Sequence, residues 1–231
     1  MLSPSHGFRI EISAPGHRRS SVKSFVSSPR FRCSRVPIVT MITSALVVAL
    51  ALMPAAAQGL QLEREAVVRG EWWRLLTAHF VHFGPQNLGM NLLAFAALAA
   101  WCERLGRLRL VCTILISSLA TSVSVFCLQP DWEIYRGLSG VDSALFGVLF
   151  FTMAREARGW MRALVAAPAV VFLGKVLFEF FSGRALFVDA AAESFQPVPL
   201  AHLCGVLVGT AVHLYGCVRP TRGLRCDPPT C

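Results

Sequence analysis

The chain has 231 residues, 55% of them hydrophobic and 15% charged, with a net charge of +9 at pH 7. Its mean hydropathy is positive, at +0.56. This balance excludes a soluble domain with a fully solvated surface and makes the bilayer the expected solvent.

Residues 1–36 form a polar tail that carries Arg9, Arg18, Arg19, Lys23, Arg30, Arg32 and Arg35 against a single acid, Glu11. Its Ser and Arg content predicts disorder, and its positive charge predicts a cytoplasmic location. It lacks the interleaved aromatic residues or module pattern of a nucleic-acid binder, so no nucleic-acid partner is expected. The first apolar run lies too far from residue 1 for a cleaved signal peptide, although Pro54-Ala-Ala-Ala-Gln58 resembles a cleavage site.

Six apolar runs follow, at roughly 37–57, 85–103, 108–128, 138–154, 160–181 and 198–217. At 1.5 Å per residue each is long enough to approach the thickness of a hydrocarbon core of about 30 Å. They predict one all-α membrane domain over 37–217, a six-transmembrane-helix bundle, with a short cytoplasmic stub at 218–231. No repeat marks a solenoid. Arg104, Arg107 and Arg109, then Arg155, Arg158 and Arg162, then Arg219, Arg222 and Arg225 lie on the side of the tail. The opposite linkers hold Asp131, Glu133 and Arg136, and Arg184, Asp189 and Glu193. Both termini are therefore expected in the cytoplasm, with the second, fourth and sixth helices starting from the outer face. The eight cysteines, at 33, 102, 112, 127, 204, 217, 226 and 231, form no CxxC pair and read as free thiols packed as small hydrophobes.

Polar side chains inside a membrane must face the bundle interior or a water-filled cavity, which makes them functional candidates. In "HFGPQNLGMNLLAF", Pro85 suits the first turn of a helix, placing Asn87 and Asn91 on one face four residues apart. Each amide can donate two hydrogen bonds, to a neighbouring helix or to a reacting oxygen. In "YRGLSGVDSALF", Gly137 and Gly140 flank Ser139 and permit close approach of another helix or of a substrate. Lys175 and Glu179 are spaced four apart on the fifth run, as a compensated ion pair or as a contact for substrate. In "PVPLAHLCGVLVG", Pro197 and Pro199 mark a helix start, His202 falls in the first turn, and Gly205 and Gly209 lie on nearly its face.

Counted from the outer ends of their helices, Asn87, Asn91, Ser139 and His202 fall at one depth, roughly 3 to 10 Å in. Independent packing roles would not require that agreement. A serine needs a base, histidine titrates near neutrality, and a tetrahedral oxyanion needs preorganised donors such as the asparagine amides.

From about Gly70 to Gly209 the chain resembles the rhomboid intramembrane serine proteases of six-helix type. "GLSG" resembles their nucleophile motif at Ser139, "AHLCGVLVG" their base motif at His202, and "EWWRLLTAHFVHF" their first outer loop. "GEWWRLLTAHFVHF", "YRGLSG" and "KVLFEFFSG" are similar to the rhombosortase subgroup. The resemblance implies cleavage of a membrane-anchored protein, with C-terminal Gly-Gly-containing anchors as the subgroup's substrates, no metal or cofactor, and a bacterial inner membrane with the site open to the outer face. It also implies lateral access for the substrate between the second and fifth helices.

The chain departs from that pattern at three places. Asn87 stands where the family has a histidine in its HxxxN oxyanion motif, Ser143 stands four residues past the nucleophile, and Asp142 has no counterpart. Asp142 reads as an orienting partner of His202 or as a paired residue inside the bundle, and His79 and His82 as loop residues or substitute oxyanion donors. The competing functions are a catalytically inactive rhomboid-like protein that binds or escorts membrane clients, and a small transporter with a continuous polar path.

Overall fold

The computed structural model describes residues 36–186, 188 and 197–215. The basic tail before residue 36, the stub 218–231, Asp189, Glu193 and the cysteines at 33, 217, 226 and 231 lie outside the described residues.

Each apolar run falls on a helix. The first is broken: α1 (Ile38–Ala51) and α2 (Pro54–Leu60) meet at 111°. Met53, immediately before Pro54, leaves the helical region, with φ −124° and ψ 70°, as the proline ring requires of the residue before it. A single helix over 37–57, expected from the apolar run, is therefore corrected to a bent pair. The N-terminus of α1 is held from across the bundle: the Glu103 carboxylate accepts from the N–H groups of Val39 and Thr40, at 3.1 and 3.0 Å, and from the Thr40 hydroxyl. A carboxylate at that end satisfies orphan donors and matches the positive end of the helix dipole.

A compact outer-loop region follows, built from strand β1 (Leu62–Glu63), α3 (Arg64–Val68), α4 (Arg74–Thr77) and a 3-10 turn over Ala78–Phe80. Arg74 is the anchor of this region. It is 7% exposed, pairs with Glu71 at 2.7 Å, and donates to the carbonyls of Gln58 and Gln61 at 2.8 and 2.9 Å.

Among the described residues, three helices are long and apolar enough to cross a membrane: α5 (Pro85–Leu105), α6 (Arg107–Leu128) and α8 (Met161–Ser182). The bent α1–α2 pair passes the same test taken together, while α7 (Ser139–Ala154) and α9 (Pro199–Tyr215) are shorter, at 16 and 17 residues. The helix starts at Pro85 and Pro199 agree with the positions read from sequence, where proline's missing N–H costs nothing.

The centre of the molecule is α7, buried on all sides from Gly140 to Leu145 and again from Gly147 to Leu149. An apolar helix without a polar face belongs in a core, and α7 packs chiefly on α9, then on α5 and α6. Gly205 and Gly209 permit this contact: a Cβ on either would collide with the carbonyl of Gly140 or of Ala144. From α6 a row of hydroxyls, Thr113, Ser117, Ser118, Thr121 and Ser122, turns inward. By contrast α8 is peripheral. It touches α7 and α9, hardly meets α5, carries Pro168 in its interior, and exposes Val170, Val171, Leu173, Phe180 and Phe181.

The described cysteines, 102, 112, 127 and 204, are all free. Cys102 is packed in the core, whereas Cys127 is exposed, which corrects the expectation that these thiols are uniformly buried.

Candidate active site

The approach to Ser139 is fixed by long-range pairing. Strand β2 (Ile134–Tyr135) pairs antiparallel with β1, Leu62 opposite Tyr135 and Glu63 opposite Ile134. Arg136, next in the chain, donates through Nε to Gln61 Oε1 at 2.8 Å and through Nη1 to the His82 carbonyl at 3.3 Å, and also bonds Gln61 Oε1 through Nη2. Tyr135 is buried, with its ring edge-on to His79 at 5.4 Å, and its hydroxyl meets the Ser139 side chain and the Gly140 backbone. The chain then turns at Gly137, whose φ of +114° only glycine adopts without strain, and Ser139 opens α7.

His79 is fully buried, and its Nε2 lies 2.9 Å from the Ser118 carbonyl and 3.0 Å from Ser122 Oγ on α6. It is thus a structural pin between the outer loop and α6. The His82 ring faces Gly137 from outside the cavity described below, with neither nitrogen partnered among the described residues. Burial holds the pKa of both histidines down to about 4 from 6.5, with His79 adding to the effect on His82. Unfolding therefore takes up protons between these values, and stability falls as pH drops from 6.5 towards 4. For His79 the shift is worth about 3 kcal/mol. Resistance to denaturation in detergent is expected to fall as pH drops through that window, and His79→Gln to flatten the dependence; an unchanged profile in the variant would contradict this assignment.

His202, on α9, has its two ring nitrogens turned to different helices. Nδ1 faces α7, 3.1 Å from Ser143 Oγ, which itself donates to the Ser139 carbonyl at 2.7 Å. Nε2 faces α8, 3.1 Å from Glu179 Oε2 and 3.0 Å from Lys175 Nζ. Lys175 bonds both Glu179 oxygens, at 2.8 and 2.7 Å, and the Leu186 N–H donates to Oε1 at 3.0 Å. The spacing of Lys175 and Glu179 had predicted their pairing; their bond to His202 was missed. It was findable, because Glu179 lies three residues from the end of α8, at the depth of His202, so the count used for the other helices applied to this one read backwards.

Ser139, His202, Asn87, Asn91, Lys175 and Glu179 line one cavity of about 250 Å³. Asn91 Nδ2 donates to Asn87 Oδ1 at 3.4 Å, and the pair faces Gly137, two residues before Ser139. One expectation is corrected. Asp142 makes no bond to His202, whose nitrogens are taken by Ser143 and the α8 pair, and it is not paired in the bundle: neither carboxyl oxygen has a partner among the described residues. The hydrogen bonds also join His202 to Ser143 and not to the Ser139 hydroxyl.

Residues 69–219 match the Rhomboid domain family. The chain belongs to the rhomboid family. With its apolar helices it is an integral membrane protein. Among similar rhomboid proteins, the Bacillus subtilis (strain 168) rhomboid protease GluP is 27% identical over 119 residues, covering 51% of this chain and 23% of GluP. The Salmonella choleraesuis (strain SC-B67) rhomboid protease GlpG is 27% identical over 195 residues, covering 81% of this chain and 65% of GlpG. The GlpG of Salmonella paratyphi A (strain ATCC 9150 / SARB42) is 28% identical over 151 residues, covering 64% and 50%. This rhomboid chain spans less than two thirds of the length of each of these relatives.

Proposed function

We propose that this rhomboid is an intramembrane serine endopeptidase, with Ser139 as nucleophile and His202 as general base and then general acid. The observation that carries the reading is the meeting, in one cavity, of a serine at a helix N-terminus and a histidine whose far nitrogen contacts a carboxylate. In the working tautomer Nε2–H donates to Glu179, and Nδ1, on the side of α7, takes the Ser139 proton. Ser139 reaches it by turning from the Tyr135 hydroxyl. The Glu179 carboxylate then stabilises the imidazolium, and Lys175 keeps that carboxylate charged and oriented. Attack on a substrate carbonyl gives a tetrahedral oxyanion, which the Ser139 N–H, in the first turn of α7, and the Asn87 and Asn91 amides receive. Collapse releases one half of the substrate and leaves an acyl-Ser139 that water hydrolyses.

The α5 and α8 walls of the cavity hardly touch, which supports lateral access between them. The rhombosortase-like motifs extend the proposal to proteins with Gly-Gly-containing C-terminal anchors, cleaved at the outer face of a bacterial inner membrane, with both termini of this chain in the cytoplasm. A second reading, a client-binding rhomboid-like protein without proteolysis, draws on one observation: Ser143, not Ser139, is bonded to His202. Reconstitution with an anchored substrate separates the two. The protease cleaves and is labelled by a fluorophosphonate; protein that does neither is the client-binding form.

Asn87 tests the oxyanion assignment. Asn87→Ala is expected to lower kcat by about 10² to 10³ with KM little changed, while Asn87→His preserves or raises the rate. A large loss in the histidine variant would remove Asn87 from that role.

A further inference from the structure

Asp142 has no part in the chemistry above, and its setting differs from that of the other buried acids among the described residues, Glu103 and Glu179. Glu179 is matched by Lys175, His202 and the Leu186 N–H, and Glu103 by the start of α1 and by Arg107. Asp142 is 8% exposed and lines the cavity, yet both of its oxygens lack a partner among the described residues. A buried carboxyl without donors is costly, and in a membrane domain such a group marks a functional position.

Its place in the cavity says what would satisfy it. Asp142 lies three residues beyond Ser139 on α7, on the same face and about 4.5 Å further along the helix. Met90, Ala94 and Leu98 of α5, with Phe146 and Phe172, give the same cavity an apolar lining. An apolar sleeve with an acceptor beyond it fits an aliphatic stem ending in an N–H-rich cation. The cation already in the cavity, Lys175, is committed to both oxygens of Glu179.

We propose that Asp142 forms the floor of a specificity pocket that takes a basic side chain, lysine or arginine, from the substrate residue beside the scissile bond. The inference rests on Ser139 being the nucleophile. It predicts that the cleaved site of the natural substrate carries a basic residue at the membrane edge.

The test uses the full chain in proteoliposomes and two tripeptidyl chloromethyl ketones that differ only in having lysine or norleucine next to the reactive group. A plain alkyl fluorophosphonate is run in parallel. The lysine reagent is expected to inactivate the wild type about tenfold faster or more. Asp142→Asn should bring the two rates to within about twofold, and Asp142→Glu should keep the preference. The ratio within each variant is the readout, so a general loss of reactivity cancels. Equal rates in the wild type, or a ratio that Asp142→Asn leaves intact, overturns the pocket while fluorophosphonate labelling still upholds the protease. Absence of that labelling from the wild type overturns both.

Discussion

Ser139→Ala is expected to reduce cleavage of an anchored substrate by about 10⁴-fold or more and to abolish fluorophosphonate labelling. The comparison that gives this result force is Ser143→Ala. Both serines sit on α7, one turn apart, and Ser143 is the one bonded to His202, so geometry read from distances alone would favour Ser143. Two features favour Ser139. It opens the helix, where a first-turn N–H can serve an oxyanion, and it is half-buried at the cavity wall, whereas Ser143 is 3% exposed and its proton is committed to the Ser139 carbonyl. Ser143→Ala should therefore retain labelling and cleavage well above background. If Ser143→Ala is silent and Ser139→Ala is active, the nucleophile is Ser143 and the mechanism above is wrong.

Gly205→Ala should also cost activity, to a smaller extent and by a different route. The added methyl group would meet the Gly140 carbonyl and, at 2.8 Å, the Ser143 Cβ. A carbonyl in a buried helix cannot turn aside, so α9 must move off α7 and carry His202 with it. Overpacking of this kind costs about 1 to 3 kcal/mol, and a displacement near 1 Å at the chemistry costs about 10²-fold in rate. Gly174→Ala is the control, since nothing lies within 4 Å of a Cβ there and alanine is the better helix former. Equal activity and equal thermal stability of the two variants would show that the α7–α9 contact does not set the site.

The helices were legible because bilayer burial demands long apolar runs, and Pro85 and Pro199 marked two starts. The break in the first run was written at Pro54 but outvoted by the hydrophobicity around it. Residues 61–84 were not legible in detail. Their backbone is set by partners far along the chain, such as Gln61 with Arg136 and His79 with Ser118, and no local periodicity encodes such pairings. At the site, depth counting brought Asn87, Asn91, Ser139 and His202 together. It gave no side-chain directions, so it missed Ser143 as the neighbour of His202 and Glu179 as its partner on α8. Asp142 was misread because pairing is the rule for buried acids, and only coordinates reveal an exception.

The loosely held α8 carries both a wall of the cavity and the carboxylate that contacts His202. Any outward swing of that helix wide enough to admit a polypeptide must also draw Glu179 away from the imidazole. If His202 is the base proposed above, admission and proton transfer exclude one another in time: the base lacks its counter-charge while the gap is open and regains it once α8 has settled against the captured chain. Fidelity would reside in that delay, because a segment that slips out before α8 returns meets a histidine without its carboxylate.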